Sequence, residues 1–185
     1  MPELDPNVRK AIELCNGNPD QLGYVGLNVE LPNAYRLVLD RRWEYRSEQQ
    51  QYIDGYDGKP HVTLLYGLMF SAKENQVLID EALKGWRKPT ILPYYRVSVF
   101  RGDDAGDAYS CLVLKPEERD YDWANEELED ANARLSKLPH VRPFVDYDPH
   151  VTIGFVKREY EQEAVEELNS LSTRPLITLD LDYGD

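Results

Sequence analysis

Pro60-His61-Val62-Thr63-Leu64-Leu65-Tyr66-Gly67 and Pro149-His150-Val151-Thr152-Ile153-Gly154-Phe155 decide how this chain is read, because they are one phrase written twice. Together they hold two of the three histidines in 185 residues. Side chains alternate between the two faces of a strand, so a His at i and a Thr at i+2 point the same way. Each tripeptide therefore presents an acid/base group beside a hydroxyl donor. Two such presentations around one oxyanion make a matched pair of proton-transfer groups, which is what phosphodiester cleavage needs.

One His-x-Thr on a strand is most often a half-buried His beside a strand-favouring Thr. Two copies in equivalent places reverse that reading. His140 serves as a control: it shares the Pro-His-Val context, but Arg142 stands where Thr should be and it falls at a helix end, so it reads as structural.

Outward from the motifs, the chain reads as two copies of one plan. Leu22 to Leu31 alternates as a half-buried strand, with Val25, Leu27 and Val29 on one face and Tyr24, Gly26 and Asn28 on the other. Residues 33–45 are weakly helical, and polar 47–59 reads as a loop leading into the first motif. Ser71 and Glu74 form a capping box for a helix carrying Val77, Leu78, Ala82 and Trp86 at helical spacing, with Gly85 near its end. A strand over 92–100 follows, then a turn at 102–106. The second copy has a strand from Tyr109, a helix marked by Trp123, Leu128, Ala131 and Leu135 that Pro139 stops, the second motif, a helix over 160–171 and a strand over 176–183. Leu22 to His61 is 39 residues and Tyr109 to His150 is 41, so the plan recurs at nearly equal spacing. Residues 1–21 read as an accessory segment, with Asp5-Pro6 opening a short helix. Residues 22–185 read as one domain with lobes at about 22–101 and 107–185.

Composition narrows the ligand. A net charge of −13 repels long nucleic acid, whose affinity comes mostly from Lys and Arg on phosphates, so a phosphoester substrate should be small or met at one end. No apolar run is long enough to span a membrane, and the first residues lack the pattern of a secretory signal. Cys15 and Cys111 stand apart and read as packing thiols in a reduced, cytoplasmic setting. A metal centre would need further ligands at tight spacing. Asp146 and Asp148 near His150 are the only candidates, and Thr at i+2 of both histidines fits phosphate better. No cofactor is expected. Arg96, Arg101 and Arg142 are candidate positive charges, and Trp43, Tyr45, Tyr52 and Tyr56 in a polar loop are candidates for a lid.

Paired His-x-Thr motifs in a duplicated α+β chain of this length resemble the 2H phosphoesterase superfamily, over roughly residues 22–183. The resemblance implies a bilobal fold of two antiparallel sheets flanking a central cleft, with helices outside. It also implies metal-free catalysis by His61, Thr63, His150 and Thr152. Within the superfamily the chain is most similar to phage anti-CBASS enzymes that cut cyclic di- and trinucleotide signals, which would place it in the host cytoplasm. RNA 2′,3′-cyclic phosphodiesterases and 2′-5′ RNA ligase-like members are the alternative, as is a non-catalytic protein that sequesters a nucleotide. Tyr66, Tyr24 and Phe155 are the candidate substrate-binding residues, as aromatic surfaces for bases.

Overall fold

The computed structural model describes residues 22–32, 59–93, 95–100, 109–117, 123–141, 146–171 and 175–184. The expected accessory segment 1–21, the helix over 33–45, the candidate lid aromatics, the turn at 102–106, Arg101 and Arg142 lie outside these residues. The described elements run β1 (Gly23–Glu30), β2 (His61–Leu68), α1 (Gln76–Ala82), β3 (Ile91–Leu92), β4 (Tyr95–Phe100), β5 (Tyr109–Pro116), α2 (Trp123–Leu135), β6 (Val151–Lys157), a 3-10 turn (Arg158–Tyr160), α3 (Glu161–Ser170) and β7 (Leu176–Gly184).

The expected pair of sheets across a cleft is not what forms. All seven strands join one antiparallel sheet in the order β3-β7-β1-β2-β6-β5-β4, and the two motif strands are central neighbours. Val62 pairs with Val151, the middle residue of one His-Val-Thr with the middle residue of the other. The reason is visible in the residues: both valines are wholly buried, and antiparallel pairing lets them share one core while satisfying backbone groups. Burying each contributes about 1.5–3 kcal/mol.

The core lies on the valine face. Val25, Leu27 and Val29 of β1 point there by alternation and are buried in one cluster with Ala124, Leu128, Ala131 and Leu135 of α2, which fall on one helical stripe and pack mainly over β2. Ala164 and Leu168 of α3 join the same cluster. In α1 the inward residues are Ile79 and Leu83, so Val77 (80% exposed) and Leu78 from the expected stripe face solvent. The helix also starts later than the capping box suggests. The backbone N–H of Glu74 does donate to Ser71 Oγ, but residues 72–75 form turns before α1 begins. The strand expected over 92–100 is really two strands at opposite edges of the sheet: β3 pairs with β7 and β4 with β5. Pro93, between them, has no N–H to continue a ladder.

One irregularity repeats. Between the pairs Gly26–Thr63 and Val25–Leu65, Leu64 is an extra residue on β2; between Val113–Thr152 and Leu112–Gly154, Ile153 is an extra residue on β6. Each motif is thus followed at once by a bulge, which bends the strand and resets its alternation. Beyond Val62 no further β2–β6 pair is recorded, and the carbonyls of β2 find other partners. Asn132 of α2 donates to Leu64 O at 2.6 Å, Tyr147 donates to Thr63 O at 3.1 Å, and Val141 N–H donates to Gly67 O at 2.8 Å. Gly67 has φ +93°, and a Cβ there would overlap the Val141 carbonyl, so a glycine is required.

Asn132→Ala should strand the bulge carbonyl of Leu64 and lower stability by about 1–3 kcal/mol, read as a reduced midpoint in urea unfolding with an unchanged slope.

Candidate active site

Antiparallel geometry converts one pair into a constellation. With Val62 opposite Val151, His61 falls across from Thr152 and Thr63 across from His150. Since the valines point into the core, all four motif residues point to the other face, and all four are half-buried. The two histidines are diagonal neighbours, and diagonal positions on paired strands are about 7–8 Å apart. That gap suits a phosphoryl group between two imidazoles with a threonine hydroxyl on either side.

Each imidazole is held by its own chain. Nδ1 of His61 lies 3.2 Å from Lys59 O, and Nδ1 of His150 lies 2.8 Å from Asp148 O. A carbonyl only accepts, so Nδ1 carries the proton and Nε2 is the nitrogen that takes or gives one. The proline before each His places that carbonyl two residues back. His140 makes the same bond, at 2.8 Å to Leu138 O, so the bond alone does not mark the site. His140 instead bridges Leu68, at the far end of β2. Lys115 reaches Asp148 at 2.6 Å and pins the turn that carries His150.

Tyr24 stacks on His61, with ring centroids 5.6 Å apart and planes at 25°. Its hydroxyl donates to Asp182 Oδ2 at 2.7 Å. Tyr66 is the cross-strand partner of Tyr24 and so shares the face of His61, at 38% exposure. Strict alternation from His61 would send Tyr66 to the core; the bulge at Leu64 turns it back. Phe155 is likewise the partner of Cys111, whose thiol hydrogen-bonds the Thr152 side chain, so Phe155 is on the site face too. Cys111, expected as a packing thiol, is a half-buried neighbour of the second threonine, and burial pushes its thiol up to about 11, partly offset by the Thr152 bond. Tyr147 runs beneath the first motif, and burial, with Tyr95, Glu129 and Asp148 nearby, holds its phenol well above the usual range, so it stays a donor.

Asp182, Gly26, Gly184, Asn132 and Tyr147 were not singled out from sequence. The two glycines carried a signal, since a Gly inside a strand often marks the close approach of another group. Arg96 is bonded to Glu117 at 3.5 Å, which accounts for its charge. Among the described residues no cluster of three or more His, Cys, Asp or Glu forms, and no helix is long and apolar enough to cross a membrane.

No protein-family model matches the chain, and no curated protein matches it. Among solved structures it is similar to Kluyveromyces marxianus Usb1 with uridine monophosphate, at 15% identity and a TM-score of 0.46 over 83% of this chain and 82% of that one. A second structure of Kluyveromyces marxianus Usb1 is similar at 15% identity and a TM-score of 0.44, with the same coverage. Likeness this loose assigns neither substrate nor reaction, which rest on the residues themselves.

With its thiol neutral at physiological pH, Cys111 should alkylate slowly in the folded protein at pH 8 and readily after denaturation. Peptide mapping of iodoacetamide adducts by mass spectrometry separates Cys111 from Cys15.

Proposed function

We propose that this protein is a phosphodiesterase that uses His61, Thr63, His150 and Thr152, without a metal, to cut 3′-5′ linkages in small cyclic oligonucleotides in the cytoplasm. The observation that carries the reading is the Val62–Val151 pair, which sets two His-x-Thr motifs on one face in antiparallel, mutually opposed order.

The chemistry follows from that order. One imidazole accepts the proton of the ribose 2′-OH through Nε2 as the 2′-oxygen attacks phosphorus. The P–O5′ bond breaks, and the second, protonated imidazole gives its Nε2 proton to the leaving 5′-oxygen. The products are a 2′,3′-cyclic phosphate and a 5′-hydroxyl. Hydrolysis of the cyclic phosphate runs the transfers in reverse: the second imidazole, now neutral, takes a proton from water as it attacks phosphorus, the P–O2′ bond breaks, and the first imidazole gives its proton back to the 2′-oxygen, leaving a 3′-phosphate. Thr63 and Thr152 donate to the non-bridging oxygens, where charge builds in the transition state.

Tyr66 and Phe155, at equivalent places beyond the two motifs, offer one aromatic surface on each side of the scissile phosphate. A ligand with a base on both sides of its phosphate, as in a cyclic di- or trinucleotide, uses both, whereas a terminal 2′,3′-cyclic phosphate uses one. The acidic chain fits a compact ligand better than long RNA. This arrangement is why we place the cyclic-oligonucleotide reading before the RNA-end reading and before simple sequestration.

The test is turnover of a panel of cyclic di- and trinucleotides and a 2′,3′-cyclic-phosphate RNA in EDTA, followed by mass spectrometry. Linear products should appear in EDTA at undiminished rate, with a bell-shaped pH–rate profile because one histidine must be neutral and the other protonated. His61→Ala and His150→Ala should each abolish turnover, while Thr63→Ala and Thr152→Ala should lose about 2–4 kcal/mol of transition-state stabilisation. Full activity in both folded histidine variants would sink the mechanism; tight binding without turnover would make the protein a sequestering one.

A further inference from the structure

The two halves of the site are built on one register but are furnished differently. Tyr24 is to Tyr66 and the first motif what Cys111 is to Phe155 and the second, and Gly26 corresponds in the same way to Val113. On the second side the small Cys111 reaches the threonine of its motif. On the first, a large ring reaches the histidine.

Three neighbouring strands are shaped around that ring. On β7, Asp182 pairs with Gly26 and Gly184 pairs with Tyr24. A Cβ on Gly184 would overlap the Tyr24 ring, and one on Gly26 would come within 3.2 Å of His61 Cδ2 and 3.5 Å of Tyr24 Cε2. A bare Gly184 leaves the space the phenol occupies, and a Cβ on Gly26 would crowd the imidazole beside it. The Asp182 carboxylate then fixes the ring through a charge-assisted bond of 2.7 Å. The stack at 5.6 Å is within the range of offset aromatic pairs. His61 has use for such a brace. Its Nδ1 bond to Lys59 O, at 3.2 Å, is longer than the 2.8 Å bond that holds His150.

We propose that Tyr24, held by Asp182 over the glycine floor of Gly26 and Gly184, is a positioning residue that fixes the His61 imidazole for proton transfer, and is not a platform for a base. The kinetic part of this inference rests on the phosphodiesterase reading; the structural part does not.

The experiment compares wild type with Tyr24→Leu, Tyr24→Phe and Gly184→Ala by steady-state kinetics and by the side-chain order of 13C-labelled histidines in NMR relaxation. His150 is the internal control. Tyr24→Leu should raise the mobility of the His61 ring, leave His150 unchanged, and lower kcat about 100-fold, with KM moving less than about two-fold. Tyr24→Phe keeps the ring but loses the Asp182 bond, and should show the same two effects to a smaller extent. Gly184→Ala should reproduce the leucine pattern by pushing the ring aside, without touching Tyr24 itself. A raised KM with unchanged kcat in Tyr24→Leu would make the residue a base platform and overturn the proposal, as would a His61 ring no more mobile than in wild type. If wild type turns over nothing in the panel, the phosphodiesterase reading fails, and the relaxation data still decide what Tyr24 does.

Discussion

A single antiparallel pair, Val62 with Val151, joins the two motif strands at the centre of the sheet. The placement of the four motif side chains follows from that contact. The side-chain period of a strand is two, so burying these valines forces the residues on either side of each out of the core. A slip of one residue in either motif strand would bury that strand's histidine and expose its valine. The same hydrophobic term that closes the centre of the sheet thus aims the four motif side chains to its other face.

That constraint has a structural cost at the seam. Once β2 and β6 part company, β2 has backbone carbonyls with no strand opposite them, and a buried carbonyl without a donor is expensive. Asn132 and Tyr147 meet the need from the helix and from the segment leading to the second motif. Both bonds set the path of the strand that carries His61 and Thr63.

How much of this was legible beforehand depends on the range of the interaction. The motifs were readable because alternation is local, and the half-buried strand from Leu22 to Leu31 was readable for the same reason. The number of sheets was not. Whether two repeats stack or join into one sheet depends on long-range strand pairs, β1 with β7, β4 with β5 and β2 with β6, and the residues of these strands would serve either arrangement. The split of 92–100 into two distant strands has a local mark in Pro93, but its consequence is global. The bulges at Leu64 and Ile153 have no mark at all, since both are ordinary core residues; they return Tyr66 and Phe155 to the site face, against strict alternation. In α1, Val77 and Leu78 satisfied the period of a helix but lost to Ile79 and Leu83, because a short helix after a turn is oriented by what it packs on.

The acidity of the chain bears on the chemistry in a way the net figure hides. At physiological salt, charges beyond about 8 Å are largely screened, so the local groups decide whether an anion is tolerated. The two carboxylates tied to the motifs are both engaged: Asp148 takes the Lys115 ammonium beside His150, and Asp182 takes the Tyr24 hydroxyl beside His61. Each of these acids is used to hold a histidine's surroundings in place, one through the turn and one through a ring. With their charge bonded locally and the hydroxyls of Thr63 and Thr152 on the same face, the centre of the site can present donors within a molecule whose total charge is −13. Under the proposed phosphodiesterase reading, selection against long polyanions and acceptance of one phosphate are then compatible, because the first would be set by the whole surface and the second by four residues across one pair.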